Sequence, residues 1–145
     1  MPTPPPEQPH TNAETSLDPV DWDQFRTLVH SAVDDLTDYL QNVASRPVWQ
    51  ALPNDSKNLF NEALPREGMG ASAAYQQIRQ HVLPYPTGNI HPRFWSWVGG
   101  TGTANQLIAD MVISAMNSCS LGFDESASSH VEVQLIGWLK ELLAY

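Results

Sequence analysis

At 145 residues and 41% hydrophobic content, the chain has material for one domain and too little for two ordinary ones. A formal net charge of −9, from 16 acidic and 7 basic residues, argues against nucleic acid and anionic membranes as partners, because phosphate binding needs a basic face. The lone cysteine, Cys119, excludes an internal disulfide; with no signal-peptide pattern at Met1-Pro-Thr-Pro and no apolar run near the ~20 residues of a membrane helix, it points to a soluble cytoplasmic protein.

Residues 1–16 hold five prolines before His10 together with Glu7 and Glu14, and read as a disordered tail that cannot bury enough apolar surface to order itself. A long helix is expected from Asp18-Pro19, with Asp18 as cap and Pro19 in the first turn. Its apolar stripe runs through Trp22, Phe25, Val29, Leu36 and Val43, and it should stop before Pro47. Arg46 to Gly70 reads as an irregular connection with a short helical turn around Lys57 to Ala63. A second helix fits Ser72 to Val82, carrying Tyr75, Ile78 and Val82 on one face, and Pro84 stops it.

From Pro84 to Gly102 the chain reads as a loop, with a short extended piece at Phe94 to Val98. A third helix should start near Thr103 and carry Leu107, Ile108, Met111, Val112, Ala115 and Met116. A fourth should begin at Ser128 or Ser129, since Ser129 and Glu132 have capping-box spacing. Its apolar positions Val131, Leu135, Ile136, Trp138, Leu139, Leu142 and Leu143 occupy more than one side, so the helix should be covered on more than one side. No alternating strand, internal repeat or sustained heptad is visible. The fold class expected is all-α: about four helices plus a long loop.

The run from His91 to Thr103, His-Pro-Arg-Phe-Trp-Ser-Trp-Val-Gly-Gly-Thr-Gly-Thr, crowds aromatics, a proline and three glycines before a helix start. A packed core has no use for that mix, whereas the wall of a cleft does. His-Pro-x-Phe, then an aromatic, a turn and Leu107-Ile-Ala-Asp-Met111, resembles the group II decarboxylases that use pyridoxal phosphate, among them the aromatic-amino-acid, tyrosine, histidine and glutamate decarboxylases. Arg46-Pro47-Val48, Leu64-Pro65, Gly122-Phe123 and the Val131-Glu132 to Trp138 spacing extend the likeness over roughly residues 18–145.

The resemblance implies an N-terminal arm, residues 17–90, that packs across a two-fold homodimer. Residues 91–145 would then be an active-site loop and helices leading into an α/β large domain of the aspartate-aminotransferase type that comes after this chain. The cofactor implied is pyridoxal 5'-phosphate and the substrate an amino acid. Carried over residue by residue, Trp97 takes the position of an aromatic near the substrate, and Val98 takes the next position. Gly99-Gly100 replaces a Pro-Thr pair whose Thr contacts substrate, so Gly100 borders the cleft and Thr101 or Thr103 would supply the polar contact. Leu121 and Phe123 resemble the apolar pair that reaches the neighbouring subunit's site.

A pyridoxal enzyme needs a lysine whose amine forms a Schiff base. The family places it after a His, whereas Lys57 follows Ser56 and Lys140 follows Leu139. The chain therefore reads as part of a carboxy-lyase, without a catalytic residue of its own and inactive alone. Two other readings stand beside it: a stand-alone helical dimerisation module, and a fragment of a transaminase-like pyridoxal enzyme.

Several sharper readings of single residues lack support. Gly99 to Thr103 has neither a P-loop ending nor a full GxGxxG after a strand, so phosphate binding is disfavoured. The histidines show no paired metal spacing, and no metal is expected. His91 is read as structural beside Pro92 in preference to an acid or base, and Cys119 as a buried thiol in preference to a nucleophile.

Overall fold

The computed structural model describes residues 16–118 and 126–145. The tail expected over residues 1–16 lies outside them except for Ser16, and so do Cys119, Leu121 and Phe123. The described residues contain no strand, and the all-α expectation holds. Helices are α1 (Trp22–Gln41), α2 (Asn54–Leu59), α3 (Ala71–His81), α4 (Ala104–Met116) and α5 (Ala127–Leu142), with a 3-10 turn at Val43–Ser45. The fifth helix is the short α2, displaced toward the N-terminus from its expected place because it starts directly after Pro53. No strand forms at residues 94–98: 94–95 have no regular structure and 96–98 are bends.

Cap geometry corrects the expected helix starts. Asp21, three residues after Asp18, caps α1: its carboxylate accepts from the amides of Asp23 and Gln24 at 3.0 and 2.9 Å. Pro19 thus precedes the helix. Ser126, and not Ser129, caps α5, accepting from the Ser128 amide at 3.2 Å. In both cases an oxygen-bearing side chain satisfies amides that have no partner within the helix. The capping-box spacing of Ser129 and Glu132 falls inside the helix and is coincidental.

The chain divides into two compact units, one ending at Phe94 and the other running from Trp95 to Tyr145. In the first, α1 lies against α3. The α1 stripe is half-buried at Val29, Leu36 and Val43, while Trp22 and Phe25 at its start stay exposed and meet edge to face, with ring centroids 5.9 Å apart. On α3 the inward face differs from the expected one. Ala74, Tyr75, Gln77 and His81 are the half-buried residues, and Ile78 and Val82 are half exposed.

Polar contacts therefore carry much of this packing. The Tyr75 hydroxyl donates to Asp35 Oδ2 at 3.0 Å, and Arg79 Nε reaches the same oxygen at 3.2 Å. The Ser56 hydroxyl and His81 Nδ1 are 2.8 Å apart, tying α2 to α3. Among the described residues only Ser56, Gly88 and His91 are buried, and no apolar side chain is.

Burial and the hydrogen bond to Asp35, together with that carboxylate's charge, raise the Tyr75 pKa above the ordinary 10.0, with Arg79 opposing. A raised pKa means that the folded unit keeps the phenol proton longer than the unfolded chain. The stabilisation is thus complete below pH 10 and is lost as pH climbs through the folded value. Urea titrations at pH 8 to 11 should show stability falling above pH 10, and Tyr75→Phe should flatten that fall. An equal fall in the variant would exclude Tyr75 as its source.

Candidate functional site

The aromatic run starts from a turn that the first unit holds in three places. Residues 46–50 leave the 3-10 turn without regular structure, and their alternate positions face the segment 84–91. Gln50 Nε2 donates to the Pro84 carbonyl at 2.8 Å. Gly88 lies against the Val48 carbonyl, where a Cβ would come within 2.0 Å of the oxygen. His91 Nε2 is 3.0 Å from the Arg46 carbonyl. The period-two alternation at 46, 48 and 50 is that of extended backbone, but side chains and a glycine replace the backbone ladder.

The other His91 nitrogen, Nδ1, accepts from the Arg93 amide at 3.0 Å. A carbonyl can only accept and an amide N–H can only donate, so the ring is neutral, with its proton on Nε2. At 5% exposure it is one of the least accessible side chains in the unit. Both nitrogens are engaged with backbone, which agrees with the structural reading of His91 from sequence. Arg46 itself stacks over Tyr39, its guanidinium 4.2 Å from the ring centroid, and this fixes the peptide that His91 grips.

Beyond Phe94, the second unit opens with the predicted cleft residues. Trp97 is 81% exposed and Val98 fully so, and Gly100 and Thr101 follow them in an exposed stretch. The Thr101 hydroxyl is 3.4 Å from the Gly102 carbonyl, and the backbone of Thr103 starts α4 without a side-chain cap. Neither Gly99 nor Gly100 needs to be glycine for this chain's own packing. A Cβ at either would meet nothing within 4 Å, and neither lies at positive φ. Trp97, Val98, Gly100 and Thr101 are all exposed; Leu121 and Phe123 lie outside the described residues.

The lysines are equally open. Lys57 on α2 is exposed, and Lys140 on α5 sits with its ammonium 6.0 Å from the Tyr145 ring. No group of three His, Cys, Asp or Glu side chains among the described residues is arranged to hold a metal. No described helix is long and apolar enough to cross a membrane.

Sequence reasoning missed Gly88, Gln50 and Ser56. Only Gly88 carried a local signal, as the glycine of a Pro86-Thr87-Gly88 turn. The partners of the other two are 34 and 25 residues away, out of reach of any local pattern.

No protein-family model matches the chain. It is similar to tryptophan decarboxylase 1 of Oryza sativa subsp. japonica, with 30% identity over 133 residues, 88% of this chain and 25% of that protein. It is similar to an aromatic-L-amino-acid decarboxylase of Bacillus atrophaeus, with 26% identity over 85% of this chain and 26% of that protein. Among solved structures, that of Oryza sativa TDC with PLP and tryptamine superposes with a TM-score of 0.71 at 27% identity, covering 89% of this chain and 27% of that one. The chain thus spans about a quarter of the length of the curated relatives it matches.

Proposed function

We propose that this chain, whose homologues over about 88% of its length are aromatic-L-amino-acid, tyrosine and tryptophan decarboxylases, is the N-terminal part of a pyridoxal-phosphate-dependent amino-acid carboxy-lyase. The observation that carries this reading is the sequence likeness over 88% of the chain to about a quarter of the relative's length, with which the backbone is in keeping. The resemblance in the His91 and Val131 blocks points the same way.

The residues present do not fit pyridoxal phosphate as its binding site, since both lysines are exposed. In the intact enzyme the cofactor would supply an electron sink for loss of the carboxyl group. This chain would supply walls and contacts. The Trp97 ring offers a flat apolar face that excludes water from a bound substrate. The absence of side chains at Gly99-Gly100 would permit close approach, and the Thr101 hydroxyl would offer a polar contact on that side. An aromatic amino acid suits such a wall, as offset ring pairs gain roughly 0.5–1.5 kcal/mol beyond area burial.

The unit ending at Phe94 would form the arm of a cytoplasmic homodimer, with the helices after the aromatic run leading into the large domain. Leu121 and Phe123 would reach the partner's site. Unpartnered apolar residues on α4 and α5 support such an assembly, among them Ile108 at 66%, Ile113 at 65% and Leu135 at 52% exposure.

Absorbance and CO2 release test the reading. Mixed with pyridoxal phosphate, the 145-residue chain should show no new band and no CO2 release. The intact protein should show the lysine-bound cofactor's band at about 420 nm and release CO2 from an aromatic amino acid. A band and turnover by the chain alone would overturn the assignment of chemistry to residues elsewhere. An intact protein that takes up the cofactor but releases no CO2 from any amino acid would overturn the carboxy-lyase assignment.

A further inference from the structure

The segment 46–50 grips residues 84–91 at alternate positions, and the last grip is a buried histidine with both nitrogens engaged. We infer that His91 is a positioning residue: fixed as the Nε2–H tautomer between the Arg46 carbonyl and the Arg93 amide, it sets the backbone from which the aromatic run departs and exchanges no proton with substrate.

The geometry supports this from both ends of the ring. Nε2–H donates to a carbonyl that belongs to the link after α1, 45 residues back in the chain, so the contact is tertiary and not part of the turn itself. Nδ1 accepts from the amide two residues ahead, and the His91 carbonyl accepts from the Phe94 amide at 2.9 Å. Together these three bonds fix the peptides of residues 91–94 to the helical unit. The His91 amide also donates to the Gly88 carbonyl at 2.9 Å, so the ring continues a chain of contacts that begins where Gly88 meets Val48. An acid or base must release one nitrogen to reach a substrate. Here that would leave either the Arg46 carbonyl or the Arg93 amide, in part-buried bonds, without its partner. The ring is thus built to stay in place.

The inference deepens the proposed function and its catalytic arm rests on that reading. Two variants of the intact protein test it. His91→Phe removes both bonds; His91→Gln retains a donor for Arg46 and removes the acceptor for Arg93. Hydrogen exchange should quicken at least tenfold at the Arg93 amide in both, while NMR of the unaltered protein should show a neutral Nε2–H ring at His91. Catalytically, His91→Phe should raise KM about tenfold with kcat nearly kept, His91→Gln should recover most of that loss, and the pH profile of turnover should be unchanged in both. If His91→Gln instead slowed turnover about a hundredfold or more, with one limb of the pH profile gone, the inference would be overturned in favour of proton transfer. Unchanged exchange at Arg93 would also overturn it. The exchange and NMR readings need no turnover, so they judge the clasp even if the intact protein proves not to be a decarboxylase.

Discussion

Gly88→Ala should unfold the unit that ends at Phe94. The new Cβ would sit 2.0 Å from the Val48 carbonyl oxygen, and the backbone there has φ +91, a region that side chains rarely adopt. The left-handed backbone alone costs about 1–2 kcal/mol, and overpacking commonly adds about 1–3. The obstacle is a peptide carbonyl and not the far end of a side chain, so relief requires moving the 46–50 link off the turn. That movement also breaks the neighbouring grips at Gln50 and His91. The expected total of about 3 kcal/mol or more is a large share of the roughly 5–15 kcal/mol that usually holds a domain together. Circular dichroism at 222 nm during a urea titration checks it. Gly68→Ala is the matched control, since a Cβ there meets nothing within 4 Å, and it should change stability by no more than about 0.5 kcal/mol. Equal midpoints for the two variants would show that the turn does not need its glycine.

The second large effect has opposite signs in two settings. Leu139→Asp should make the 145-residue chain more soluble and should cripple the intact protein. On α5, Val131, Val133, Leu135, Ile136, Trp138, Leu139 and Leu142 are between 45% and 80% exposed. They cover more than one side of the helix, and a helix that is apolar around its circumference is normally buried. In the isolated chain these side chains meet water, so they should drive self-association and bind a hydrophobic dye. A carboxylate at Leu139 opposes that. In the intact protein the same carboxylate would be buried without a partner, at a cost of several kcal/mol. Sedimentation of the chain and a melting curve of the intact protein read the two arms. A melting temperature of the intact protein unmoved by Leu139→Asp would mean that α5 stays open to solvent there.

Much of the secondary structure was legible because it rests on short-range physics. The α1 stripe recurs every three or four residues, so its helix and the half-buried positions Val29 and Leu36 followed from spacing alone, as did the termini of α3 and α4 to within a residue or two. Caps were harder. Asp18 and Asp21 are chemically alike, and only the path of the chain entering the helix selects Asp21. The inward face of α3 was not legible either. Apolar spacing favours Ile78 and Val82, but the Tyr75, Asp35 and Arg79 cluster and the Ser56 contact turn another face toward α1 and α2.

The candidate site divides along the same line. The sequence by itself determined the composition of the aromatic run, in which Trp97, the paired glycines and the two threonines make the mix expected of a cleft wall. It also determined that no lysine here has the neighbours of an imine-forming one. Only the tertiary structure decided how that run is held. The grips at Gln50, Gly88 and His91 join residues 34 to 45 positions apart. Local periodicity carries no information at that range, whereas a carbonyl 3.0 Å from an imidazole nitrogen does. The structure also decided that Gly88 must be glycine for this chain's own packing and that Gly99 and Gly100 need not be. A Cβ at Gly88 would meet a neighbouring peptide carbonyl, whereas one at Gly99 or Gly100 would meet no described atom within 4 Å.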